Sequence, residues 1–352
     1  NLHPRWSPDG TQLAFLSNQG QDYGRTGLVS FTLSDSSLKR ISPSANTAFD
    51  WSPDGNHILY TRRSQPNGYG SRFWDLYTVP PDTSGEGPFQ QMKNAIGLSR
   101  STFPGETRLT HDVRAIHPAY SPDGTRIAFV KNGGGNTNLC ILDVNTGEIR
   151  SLTDFKDGTQ VYTPRWSPDG SQIAFSIFQP GNSRDIATIF PDHGSWTLQA
   201  SSSGTDRDPC WTPDGNGLVF ASDNEGIFDL YHLTLADGTV RRITRVLGSA
   251  FQPHINSKDG RIAFSHYGKT AYEIRIIDGK GLWERADSDA FRAPGQNPIA
   301  SNMSDIPGAR PYKGEYGTTS IIPRIGIETG KLKLGAAAVS EDVLGKQSLF
   351  LS

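Results

Sequence analysis

Trp6-Ser7-Pro8-Asp9-Gly10 is the phrase that decides the fold, because it recurs. It returns as Trp51-Ser52-Pro53-Asp54-Gly55, Tyr120-Ser121-Pro122-Asp123-Gly124, Trp166-Ser167-Pro168-Asp169-Gly170 and Trp211-Thr212-Pro213-Asp214-Gly215. A worn sixth copy reads Asn256-Ser257-Lys258-Asp259-Gly260. The six aspartates are spaced by 45, 69, 46, 45 and 45 residues. A period of about 45 residues marks a repeat architecture, and blades of four short strands fit it. The single long spacing places an insertion in the second unit.

Each unit parses alike. A short segment ends in an aromatic residue, and the Ser-Pro-Asp-Gly turn follows. Proline presets the turn's backbone and glycine tolerates the positive φ at its end, as in a hairpin with a type I turn and a glycine bulge. An apolar strand comes next, such as Ile127-Ala128-Phe129-Val130 or Ile173-Ala174-Phe175. Its residues are apolar on both faces, as in strands sandwiched between neighbours. The third strand alternates more loosely. The fourth is polar and basic, as in Thr107-Arg108-Leu109-Thr110 and Arg241-Arg242-Ile243-Thr244. Cationic side chains suit an outer edge, where they discourage edge pairing. The gradient puts the first strand at a hub and the fourth at a rim. The fold class is therefore all-β: a six-bladed propeller of four-stranded antiparallel blades over residues 1–287. Unit four breaks the pattern, since Trp196-Thr197-Leu198-Gln199 lacks the basic residues. Unit six offers only Leu282-Trp283-Glu284-Arg285 as a fourth strand.

Residues 288–317 are rich in Pro, Gly, Ser and Asn and read as a linker. Residues 318–352 form a β-rich tail with alternating segments Ser320–Ile327, Lys331–Val339 and Ser348–Leu351. The net charge of -2 over 352 residues leaves no footprint for nucleic acid. No apolar run approaches the roughly 18 residues of a membrane helix. The chain opens at Asn1 inside a repeat unit and reads as a processed or trimmed chain. Cys140 and Cys210 sit in strand-like apolar contexts and are expected to be buried free thiols.

At these repeats the chain resembles the propeller domain of TolB and its relatives, with Trp-Ser-Pro-Asp-Gly turns, Ile-Ala-Phe strands and a closing Arg-Leu-Thr. The resemblance covers residues 1–287 and implies a periplasmic or outer-membrane-associated protein of the bacterial envelope. Similar repeats occur in non-catalytic propellers of prolyl-oligopeptidase-like enzymes and in metal-dependent pectate-fragment lyases. The stretch Ser340–Gln347 resembles the opening of outer-membrane barrel domains that follow propellers in bacterial surface proteins. The tail then reads either as the first strands of such a barrel or as a strand pair docked on the propeller.

The Asp-Gly aspartates are expected to be turn residues, because the same chemistry recurs in every blade. Residues just before the innermost strands are the candidates for function. Six back from each aspartate lie His3, Ala48, His117, Thr163, Asp208 and Pro253; four back lie Arg5, Asp50 and Arg165. Of these, His3, Arg5, Asp50, His117, Thr163, Arg165 and Asp208 are expected to ring one mouth of the central channel, opposite the turns. There the resemblance implies docking of a peptide-like segment of an envelope protein. His3, His117 and Asp208 are also metal-ligand types, and their convergence would support a metal-dependent saccharide lyase or hydrolase instead. The insertion, with Phe89, Met92 and Phe103, is a second candidate partner surface. No Gly-x-Ser-x-Gly elbow, His-Glu-x-x-His pair or phosphate loop occurs, and no cofactor is implied. The expected function is a non-catalytic protein-interaction propeller. The enzyme, and the soluble part of a larger barrel protein, are the alternatives.

Overall fold

The computed structural model describes residues 1–18, 26–42, 45, 48–64, 70–81, 105–269, 271–279, 291–292, 320–328, 331–341 and 348–351. It divides into two compact units, Asn1–Asn297 and Pro298–Ser352. The first is a six-bladed propeller of antiparallel meanders, and no helix occurs among the described residues. The innermost strands are Leu2–Trp6, Asp50–Trp51, Ala115–Tyr120, Gln160–Trp166, Asp206–Trp211 and Ser249–Ile255. Each touches the innermost strand of the next blade, and the last touches the first. Blades 1 to 4 have four strands each. Blade 5 has four and gains a fifth, Phe291–Arg292, paired with Thr239 and Val240. Blade 6 shows three strands; Leu282–Arg285 lies outside the described residues. The insertion residues Phe89, Met92 and Phe103 lie outside them too.

The turn chemistry repeats as the phrase predicts. Each glycine N–H donates to the Ser or Thr carbonyl three residues earlier at 2.8–2.9 Å in blades 1 to 5. Each of those glycines holds φ near +73°, a region that costs an L-residue about 1–2 kcal/mol. The aspartates are local caps: Asp123 accepts from Ser121 Oγ at 2.5 Å and from the Thr125 N–H at 3.1 Å. Asp54, Asp169 and Asp214 do the same in their own turns.

Blade-to-blade packing supplies the core. Apolar residues cluster at all six interfaces, for example Val130, Leu139, Trp166 and Phe175 between blades 3 and 4. A blade alone leaves both faces wet, so stability comes from stacking. Among the described residues the apolar cluster between blades 6 and 1 is the smallest, with Trp6, Leu13 and Ala263 buried there. Polar bonds reinforce it. The His3 N–H donates to Gln252 Oε1 (2.9 Å) and Ser265 Oγ (3.1 Å), and the Trp6 N–H to His254 Nδ1 (3.0 Å). Among the described residues the ring closes between blades 6 and 1 through these bonds and this packing.

Cys140 and Cys210 are buried and free. The second unit is a three-stranded antiparallel meander of Ser320–Glu328, Lys331–Glu341 and Ser348–Leu351.

Candidate functional site

Five innermost strands carry the same interruption. His3-Pro4, His117-Pro118, Thr163-Pro164, Asp208-Pro209 and Gln252-Pro253 each sit where the ladder to the second strand slips register. The residue before each proline has φ between +47° and +57°. Proline has no N–H for the ladder, so a bulge forms, and the left-handed residue adds about 1–2 kcal/mol of strain. The bulge frees a backbone N–H that the preceding blade then captures. Asp208 N–H donates to Ser176 Oγ at 3.1 Å, and Thr163 N–H reaches His117 Nδ1 at 3.5 Å. The strained residues are thus stitches between blades. The sixth copy shows Gln252, not the expected Pro253, in this role. Its turn is one residue longer, with the Gly260 N–H bonding to Asn256 O four residues back.

Each innermost strand runs toward its Ser-Pro-Asp-Gly turn, so its start and its end face opposite mouths. The sequence reading expects all seven candidates at the mouth opposite the turns, and two of them lie on the turn side. Asp50 and Arg165 line a cavity of about 310 Å³ on the turn side, with Cys210 and His254. Around them stand Trp6, Trp51, Tyr120, Trp166 and Trp211. Arg5 is 3% exposed and donates to its neighbour's carbonyl, Pro4 O, at 3.0 Å; Arg165 does the same to Pro164 O at 2.9 Å. Two residues apart in a plain strand, His3 and Arg5 would share a face. The bulge between them breaks that alternation.

The repeat's aromatic residue has its own task. Trp51, Trp166 and Trp211 each donate from Nε1 to a carbonyl on the preceding blade: Arg5 O (3.3 Å), Ala119 O (3.2 Å) and Arg165 O (3.0 Å).

Electrostatics follow burial. Burial pushes the His117 imidazolium down to about 4, against the pull of Asp208. Burial also holds His3 well below the usual histidine range. Both are therefore neutral at neutral pH. Asp50 is raised to about 6 by burial, with Arg5 opposing. Asp208 is 5% exposed and accepts from Arg207 Nε at 3.0 Å. His3 Nε2 lies 3.0 Å from Gln252 Nε2. Among the described residues no group of three His, Cys, Asp or Glu side chains is set to hold a metal ion. His3, His117 and Asp208 are thus engaged with other protein groups.

The counting missed the residues one place earlier in each bulge. Tyr162, Arg207 and Phe251 belong to an aromatic and cationic array at the mouth away from the turns. The Arg184 guanidinium lies 3.8 Å from the Tyr162 ring centre. Arg207 lies over Phe251 and Phe228, at 5.3 and 6.0 Å. Nothing local signals this array, because its members come from three blades.

Six stacked blades, five of them carrying a Ser/Thr-Pro-Asp-Gly turn between their first two strands, make a β-propeller with the repeat phrase of the TolB type. Residues 106–298 match the TolB beta propeller domain family, and the chain belongs to that family. The chain is 31% identical over 255 residues to a "Protein TolB homolog" of Chlorobium luteolum, covering 72% of this chain and 51% of that relative. It therefore spans about half that relative's length. The solved structure of TolB from Acinetobacter baumannii matches with a TM-score of 0.51 at 16% identity, over 97% of this chain and 80% of that one. An oligogalacturonate lyase in complex with manganese matches with a TM-score of 0.50 at 14% identity, over 82% and 75%. Both structures share the fold.

Proposed function

We propose that this chain is a non-catalytic protein-interaction module of the bacterial cell envelope, working in the periplasm. In this reading an extended segment of an envelope protein enters the channel mouth away from the turns. The observation that carries it is the bulged set His3, His117, Thr163, Asp208 and Gln252. Five blades place backbone strain and polar side chains within their innermost strands, and local strain of this kind gathers at functional sites. Membership of the TolB propeller family supports the envelope setting. Neutral histidines and a paired Asp208 suit recognition by directed hydrogen bonds more than proton transfer. The meander of residues 320–351 supports a second element of the proposal, outer-membrane association through the tail. The insertion around Phe89, Met92 and Phe103 is a further contact surface in this proposal.

The test is affinity capture from envelope extract with the full chain beside a His117→Ala/Asp208→Ala variant. A protein held by the first and lost at least about tenfold by the second is the expected result. Equal retention would move the site away from this mouth.

A further inference from the structure

Among the described residues, the mouth away from the turns holds more positive charge than its carboxylates neutralise. Arg184 opens the third strand of blade 4, with its guanidinium carbon 3.8 Å from the Tyr162 ring centre. It makes no ion pair among the described residues, and its buried Nε has no hydrogen-bond partner. Arg207 shares the mouth, and its charge acts on Arg184 unfavourably. Asp208 is the carboxylate between them, and it is already bonded to Arg207. The nearby imidazoles of His3 and His117 stay neutral because they are buried. Among the described residues two guanidiniums therefore face one carboxylate.

Both cations are held in place before anything binds. A ring or a carboxylate beside a guanidinium narrows its orientations and leaves its remaining N–H groups for a ligand. A carboxylate fits a pair of such groups with two parallel hydrogen bonds. Beside Arg207 an aromatic surface runs outward across blades 5 and 6. Phe228 and Phe251 are 4.8 Å apart, Phe251 and Tyr272 6.4 Å, and Tyr272 and Tyr267 4.9 Å between ring centres. Tyr267 and Tyr272 are 44% and 38% exposed. Ile227 and Leu247, on loops at the same end of these blades, are exposed as well.

We propose that this mouth recognises an acidic peptide segment. An Asp or Glu side chain of the segment bonds to Arg184 and Arg207, and an adjacent aromatic or aliphatic residue lies on Phe251 and Tyr272. The proposal rests on the reading that a protein segment enters this mouth. A carboxylate could also be presented by an acidic saccharide. The exposed Ile227 and Leu247 favour the peptide, because a sugar offers little hydrocarbon to cover them.

The experiment pans a random dodecapeptide phage library against the full chain. The expected winners carry Asp or Glu next to an aromatic or aliphatic residue. Replacing that acid by its amide in the synthetic peptide should weaken binding to the unaltered protein about tenfold or more. The Arg184→Gln/Arg207→Gln protein should lose the same peptides. If that variant fails to melt like the parent, the acid-to-amide comparison decides alone. Winners without acids, or no loss on amidation, would overturn the carboxylate site and leave the interaction reading standing. Recovery of no peptide would overturn both. Trigalacturonate is titrated in parallel; binding that needs both arginines, with no peptide selected, would overturn the peptide in favour of an acidic sugar.

Discussion

Asp75→Ala should destabilise the propeller by about 3–5 kcal/mol. Asp75 is fully buried at the start of the third strand of blade 2. Its carboxylate accepts from Arg108 Nη2 at 2.7 Å, Thr110 Oγ1 at 2.9 Å and the N–H groups of Asp112 and Val113 at 3.1 Å each. This one side chain ties the fourth strand, and the chain leaving it, to the third. It explains why a basic residue and a threonine two places later close the blade. Asp229 repeats the arrangement in blade 5, bonding Arg242, Thr244 Oγ1 (2.7 Å) and the Val246 N–H (3.0 Å). Alanine leaves a cation and several donors with no acceptor, and each stranded group costs its desolvation. Urea unfolding followed by tryptophan fluorescence measures the loss. A change under about 1 kcal/mol would show that water replaces the carboxylate and that the motif is dispensable.

Asp206→Asn should stabilise the fold, and the gain should depend on pH. Asp206 is 1% exposed, at a position where blades 3, 4 and 6 place Ala115, Val161 and Ala250. Burial raises its carboxyl to about 7, and nearby Asp185 adds to the rise. Blade 4 explains the smaller contribution of Asp185. Its fourth strand has Gln199 and Ser201 where blades 2 and 5 have Arg and Thr, so Asp185 lacks an arginine partner. Below about pH 4 both folded and unfolded chains hold the Asp206 proton, and the residue contributes no pH dependence. Between about pH 4 and 7 the unfolded chain releases the proton while the folded chain keeps it, so stability falls as pH rises. Above about pH 7 the penalty is constant, on the order of 4 kcal/mol. Parent and variant should therefore match near pH 4, diverge up to pH 7 and stay apart above it. The buried neutral histidines work in the opposite direction in both proteins, so the difference isolates Asp206. A gap independent of pH would show that Asp206 titrates normally.

The blade plan was legible because its turns are local. Ser-Pro-Asp-Gly sets its own geometry, and the caps on Asp9, Asp54, Asp123, Asp169 and Asp214 involve only residues two places away. The hub was legible by counting only while the turn kept its length. In blade 6 the turn from Asn256 to Gly260 lacks the proline and is one residue longer, and the count lands on Pro253 instead of Gln252. Which mouth a residue faces was not legible. A bulge at each X-Pro pair breaks the alternation that would relate His3 to Arg5 or Thr163 to Arg165. The pairing of Arg207 with Phe228 and Phe251 depends on how blades 5 and 6 stack, which no local pattern encodes.

The most direct measurement places the photo-crosslinking residue p-benzoylphenylalanine at position 272, on the open mouth, or at position 198, on the outer strand of blade 4. Both sites are similarly exposed, at 38% and 42%. The full chain is irradiated in intact bacterial envelopes. A discrete protein adduct from position 272, with none from position 198, is the result the interaction account predicts. Adducts from position 198 alone, or from neither, would contradict it.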